Sequence, residues 1–252
     1  MTTPSPTPAR RFDLPRAFAV LFRPRPTFTE LTAATRASWS TPMILLTITA
    51  ALVVIVGGYF RSRAVMMGEV TLPPDWQWWT PEMQNTYMQA QQAQQGPVYM
   101  YMMPLFGSLT GLWLGWLILA GLLHLGSTLL GGRGTMQNAL NVVAWASLPF
   151  ALRDILRMIF MGIAGRTIAS PGLAGFAFGS GFLVQLLART DLFLLWSILL
   201  LVIGFAISDN LPRGKAFANV VIVMVLVLLA QAGLATLVSG IGNAAVQRPF
   251  FF

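Results

Sequence analysis

The chain alternates between long apolar runs and short polar breaks, and the run lengths predict its architecture. No charged residue lies between Arg36 and Arg61, which is enough for the ~20 residues that cross ~30 Å of hydrocarbon as a helix. A first span is predicted at 42–60, with Pro42 in the first helical turn, where no N–H partner is needed. Further spans are predicted at 104–130, 136–164, 192–208 and 217–238. Within lipid no water is available to the backbone, so a crossing segment must satisfy its own polar groups by coiling. The pattern predicts an all-α fold. It is a polytopic membrane helical bundle of about five transmembrane helices, occupying residues 38–246.

The segments outside the spans carry their own signals. Residues 1–13 are rich in Pro, Ser and Thr and predict a disordered tail, without the short apolar core of a signal peptide. In 14–37, Leu14, Phe18, Leu21 and Phe22 form a helical stripe flanked by Arg16 and Arg23 and stopped by Pro24 and Pro26. Thr27 and Glu30 have the spacing of a capping box. Two cytoplasmic amphipathic helices are expected here, apolar side down on the membrane. Two ordinary helices packed on the base of the bundle are the alternative.

Residues 61–103 predict an extracytoplasmic loop containing Glu69, Asp75 and Glu82, with a short helix begun by Thr80-Pro81 and ended by Gly96-Pro97. Residues 167–188 carry Pro171, Gly172, Gly175, Gly179 and Gly181, and their apolar part is short for a crossing. An outer-surface or partly re-entrant segment is expected. Residues 247–252 form a C-terminal tail.

Composition agrees with this reading. Charged residues make up 10% and hydrophobic ones 56%, where soluble domains carry about a quarter charged. The net charge of +8 does not indicate nucleic acid, because Arg10, Arg11, Arg16, Arg23, Arg25 and Arg36 all precede the first span. Such a cluster predicts a cytoplasmic flank facing anionic lipid. With the N-terminus inside and the C-terminus outside, nine basic residues fall inside and five outside, as the positive-inside tendency requires. The expected partners are the bilayer itself, anionic lipid at the basic segment, and another membrane protein. A cell membrane is the expected location, the inner membrane of a bacterium in keeping with fifteen arginines to one lysine.

Catalytic chemistry lacks material. There is no cysteine and a single histidine, so neither a thiolate site nor a two-histidine metal site can be built. Gly131–Gly134 lacks the Lys-Ser/Thr ending of a phosphate loop, and Gly179-Ser-Gly181 lacks the spacing of a nucleophile elbow. No catalytic residue, metal or cofactor is expected.

What remains are structural and polar candidates. Gly107, Gly111 and Gly115 share one face of the second span. Small residues let helices approach closely in lipid, so that face is expected to bury against another helix of the chain, or else against a second copy. Trp39, Trp76, Trp78 and Trp79 are expected at the headgroup layers, with an aromatic ligand cage as the lesser reading of the last three. Pro149 should kink the third span. His124 could relay protons or bond a neighbouring helix. Arg153, Asp154 and Arg157 are ionisable groups in or near a span, hence functional candidates; alternatively the arginines snorkel to headgroups.

The order of several short motifs resembles the Yip1-domain membrane proteins, in particular their bacterial branch. The motifs are Phe22-Arg-Pro-Arg-Pro-Thr-Phe28 with Leu31, Trp39 with Pro42, Gly131-Gly-Arg-Gly-Thr135 with Gln137, Ala144-Trp-Ala-Ser-Leu-Pro149, and Asp191-Leu-Phe-Leu-Leu-Trp196 with Gly204. The resemblance implies five spans, a cytoplasmic N-terminus and no enzymatic activity. Eukaryotic members look like partners of Rab-type GTPases and shapers of trafficking membranes, but their Asp-Leu-Tyr-Gly-Pro-type motif is absent here. The expected role is a scaffold that organises membrane partners or membrane shape; the alternative is a small transporter or an accessory subunit of one.

Overall fold

A computed structural model describes residues 13–33, 38–68, 72, 76–168, 170–177 and 181–245. The tail 1–12, Arg36, Glu69, Asp75, Gly179 and the C-terminal 247–252 lie outside the described residues. Among those described there is no strand. Ten α-helices follow in order: α1 (Leu14–Phe22), α2 (Pro24–Ala33), α3 (Ser40–Met66), α4 (Pro81–Gln94), α5 (Met103–Leu129), α6 (Met136–Ala146), α7 (Leu148–Ala164), α8 (Phe182–Arg189), α9 (Leu192–Ser208) and α10 (Arg213–Ala245). The segments α3, Val98–Leu129, α6 with α7, and Arg213–Val238 are each long and apolar enough to cross a membrane, and α8 with α9 makes a fifth candidate, bent by 64°. The chain is therefore a multi-pass helical membrane protein.

Several boundaries differ from those read in the sequence. The first membrane helix runs on to Met66, taking Arg61 and Arg63 into its last turns, where cations favour the negative end of the helix dipole. The second begins at Val98, in a π turn that leads into α5. Between them, α4 is capped by the Thr80 hydroxyl, which accepts from the N–H of Met83. The third span is two helices broken at Ser147, and Pro149 occupies the first turn of α7, the place a helix tolerates it. In 167–188 a 3-10 turn, Gly172–Phe176, precedes the short α8.

The contacts divide the chain into two compact units. The first holds residues up to Leu46, Trp116–Phe150 and Trp196–Val223. Here α1 and α2 pack on α6, and Phe28, Trp145 and Phe205 are fully buried. Gly204 permits the closeness: a Cβ there would press on Val142 at 2.5 Å and on the Phe28 ring at 3.3 Å. The indole of Trp145 donates to the Ser38 hydroxyl at 3.1 Å, and the Asn141 side chain accepts from the Ser38 N–H at 3.0 Å. These half-buried hydrogen bonds fix α6 against the entry to α3.

The second unit holds Thr47–Gly115, Ala151–Leu195 and the chain from Met224. Gly58 lets α3 meet the π turn, since a Cβ there would strike the Tyr101 ring at 2.5 Å. Trp76, Trp79 and Tyr87 form an aromatic triad with ring centroids 5.5–5.7 Å apart. Leu173 donates to the carbonyl of Thr190 at 3.0 Å, which ties the 3-10 turn to the end of α8.

Candidate functional site

Two buried polar clusters and one exposed apolar stripe carry the chemistry. The first cluster is ionic and lies in the second unit. Arg153, Asp154 and Arg157 project from the early turns of α7, and Asp191 stands immediately ahead of α9. Each carboxylate contacts both guanidinium groups: Arg153 reaches Asp154 and Asp191 at 3.4 Å, and Arg157 reaches them at 4.0 and 3.9 Å. Asp191 also caps α9, accepting from the N–H of Leu194 at 2.8 Å. Asp154 is only 7% exposed.

Four charges that cancel can sit in a low dielectric, whereas removing one member of such a set costs about 3–5 kcal/mol. The network joins α7 to the corner where α8 bends into α9. The sequence grouped Asp154 with Arg153 and Arg157 but did not bring in Asp191, which supplies the balancing charge.

The second cluster, in the first unit, was not anticipated. Asp209 is 1% exposed. Its carboxylate accepts from the hydroxyls of Ser127 and Ser208, and its carbonyl accepts from the N–H of Arg133 at 3.0 Å. Gly131 takes φ +91°, and a Cβ on Gly134 would overlap the Asp209 carboxylate. The turn Gly131–Gly134 is thus folded onto the end of α9. Alongside it, Lys215 donates to the carbonyl of Leu130 at 2.9 Å, capping the C-terminal end of α5 with a cation. Asn219 donates to the carbonyl of Leu123 at 2.9 Å, and a Cβ on Gly126 would overlap its amide.

The stripe lies on α1. Ala17 and Val20 are buried, while Leu14, Phe18 and Phe22 are exposed by 45%, 67% and 74%. Arg16 pairs with Asp13 at 3.4 Å and with Glu30 at 4.0 Å. Arg25 and Arg213 flank an apolar notch of about 140 Å³ formed by α9. α1 packs on its neighbours and still presents an apolar edge.

The remaining candidates fall in different places. Among the described residues no atom lies within 4 Å of a Cβ built on Gly107, Gly111 or Gly115. The described residues leave that glycine face uncovered, and lipid tails solvate such a face as well as side chains do. Trp39 meets Trp116 in a tilted contact with ring centroids 5.0 Å apart, Trp76 and Trp79 join the aromatic triad, and Trp78 is 81% exposed. His124 has a buried Nδ1 without a hydrogen-bond partner among the described residues. No group of three His, Cys, Asp or Glu side chains there could hold a metal ion.

Compared with known proteins, the chain matches the family model for the Yip1 domain over residues 18–235. That range is most of its length, and the chain belongs to the Yip1 family. No curated protein and no solved structure matches it.

Proposed function

We propose that this Yip1-family protein is a non-enzymatic scaffold of a cell membrane, in the inner membrane of a bacterium, that organises partner membrane proteins or the shape of the bilayer. Its N-terminus faces the cytoplasm and its C-terminus the outside. The observation that carries the reading is α1, a helix held to the bundle by Ala17 and Val20 while Leu14, Phe18 and Phe22 remain uncovered. An apolar edge with Arg23 and Arg25 just beyond it suits insertion among the headgroups of an anionic leaflet. The transporter reading would draw on Asp154, but that carboxylate is already matched by two arginines.

Crosslinking in native membranes, followed by identification of the captured chains, tests the scaffold. Reproducible capture of the same membrane protein is expected. Recovery of bulk lipid alone would remove the scaffolding role.

A further inference from the structure

One cavity has no part in this proposed role. It is an open cleft of about 510 Å³ in the second unit, at the end of α3 remote from α1 in sequence. Arg61 and Arg166 both line it, together with Gln91, Gln95 and Tyr99. Among the described residues no acidic side chain contributes to the wall, and neither arginine has an ion-pair partner. Phe60, Val65 and Met100 supply an apolar side.

Arg61 is held in place rather than left to wander. It donates to the carbonyl of Gly57 at 3.4 Å and, through its terminal nitrogen, to that of Met100 at 3.3 Å. The first bond lies within α3, and the second depends on the tight approach of α3 to the π turn at Gly58. A guanidinium set by two carbonyls has donors left for an anion, and its planar fork suits phosphate oxygens. Because α3 crosses the membrane, its last turns lie at a headgroup layer, where an anion attached to an apolar chain is the abundant ligand.

We propose that this cleft binds a phosphate-bearing ligand, Arg61 and Arg166 pairing with the phosphate and the amides of Gln91 and Gln95 bonding its polar remainder. An anionic phospholipid headgroup is the source that uses both the polar and the apolar walls. The inference goes beyond the scaffold role and stands without it.

Native mass spectrometry of the full chain in neutral detergent tests it, with phosphatidylglycerol, phosphatidylcholine and glycerol 3-phosphate titrated separately. Phosphatidylglycerol is expected to saturate one site roughly ten-fold more tightly than phosphatidylcholine, and an R61Q/R166Q variant to lose about that factor. The control R133Q should leave this site unchanged. Since Arg166 makes no hydrogen bond among the described residues, R166Q alone keeps the test valid if the double variant misfolds; it should weaken binding measurably. Equal loss of glycerol 3-phosphate binding in the variants would identify a soluble phosphate as the occupant of the same site. Binding that is equal for both lipids, or unchanged in R166Q and in a folded R61Q/R166Q, would overturn the proposal.

Discussion

The carboxylate of Asp209 occupies the space that a side chain at Gly134 would need. The turn between α5 and α6 is consequently closed by a contact that only glycine permits, and Asp209 is satisfied there by two hydroxyls rather than by a cation.

Substituting Gly134 by Ala should therefore destabilise the protein by about 1–3 kcal/mol, the usual cost of overpacking. Gly121 of the same α5 helix meets nothing within 4 Å, so G121A should stay within about 1 kcal/mol of wild type, with helix propensity in its favour. Thermal unfolding in detergent compares the two. Equal melting temperatures would mean the turn does not pack on Asp209.

Asp154→Asn leaves two arginines sharing the single carboxylate of Asp191. A loss of about 3–5 kcal/mol is expected, as for other broken buried pairs. Removing Arg157 as well restores charge balance, so D154N/R157Q should melt above D154N. A double variant that is worse by the sum of the singles would show that Arg157 does not act on Asp154. Under the scaffold reading, wild-type protein in liposomes moves no ion or solute under any imposed gradient.

The chain contains no cysteine, so a single thiol can report on α1. Phe18→Cys carrying an environment-sensitive dye should be quenched by lipids brominated in the upper acyl chain. The equivalent label at Ala17, which is buried against the bundle, should be quenched less. The reverse order would place the stripe in water.

Gly111→Leu adds a large side chain where a Cβ meets no atom of the described residues within 4 Å. Its melting temperature should match wild type in detergent, a shift of less than about 0.5 kcal/mol being typical of uncrowded surface sites. A marked drop would restore packing on that face.

The helices were readable because hydrophobic length is a local property, and lipid leaves the backbone no other way to satisfy itself. Local signals also marked Pro149 and the Thr80 cap. Partners distant in the chain were a different matter. Asp191 looked like the polar edge of a span, and nothing in its neighbours announces that it faces Arg153 and Arg157 across the bend into α9. Asp209 had the same appearance, and the run Gly131-Gly-Arg-Gly134 does not announce what its turn folds onto. The glycine pattern identified a face of α5 but not the depth at which it is used: the close approach falls at Gly126, about three turns beyond Gly115, where Asn219 supplies the contact. Small residues permit proximity without requiring it. Trp39, expected among headgroups, has an indole neighbour in Trp116 that its own sequence surroundings do not announce.

An energised bilayer does work on displaced net charge, about 2.3 kcal/mol for each elementary charge moved through 100 mV. Two arginines and two aspartates that shift together present the field with nothing to pull. The joint between α7 and α9 is thus deaf to voltage, and it should hold its geometry as the potential across the membrane rises and collapses.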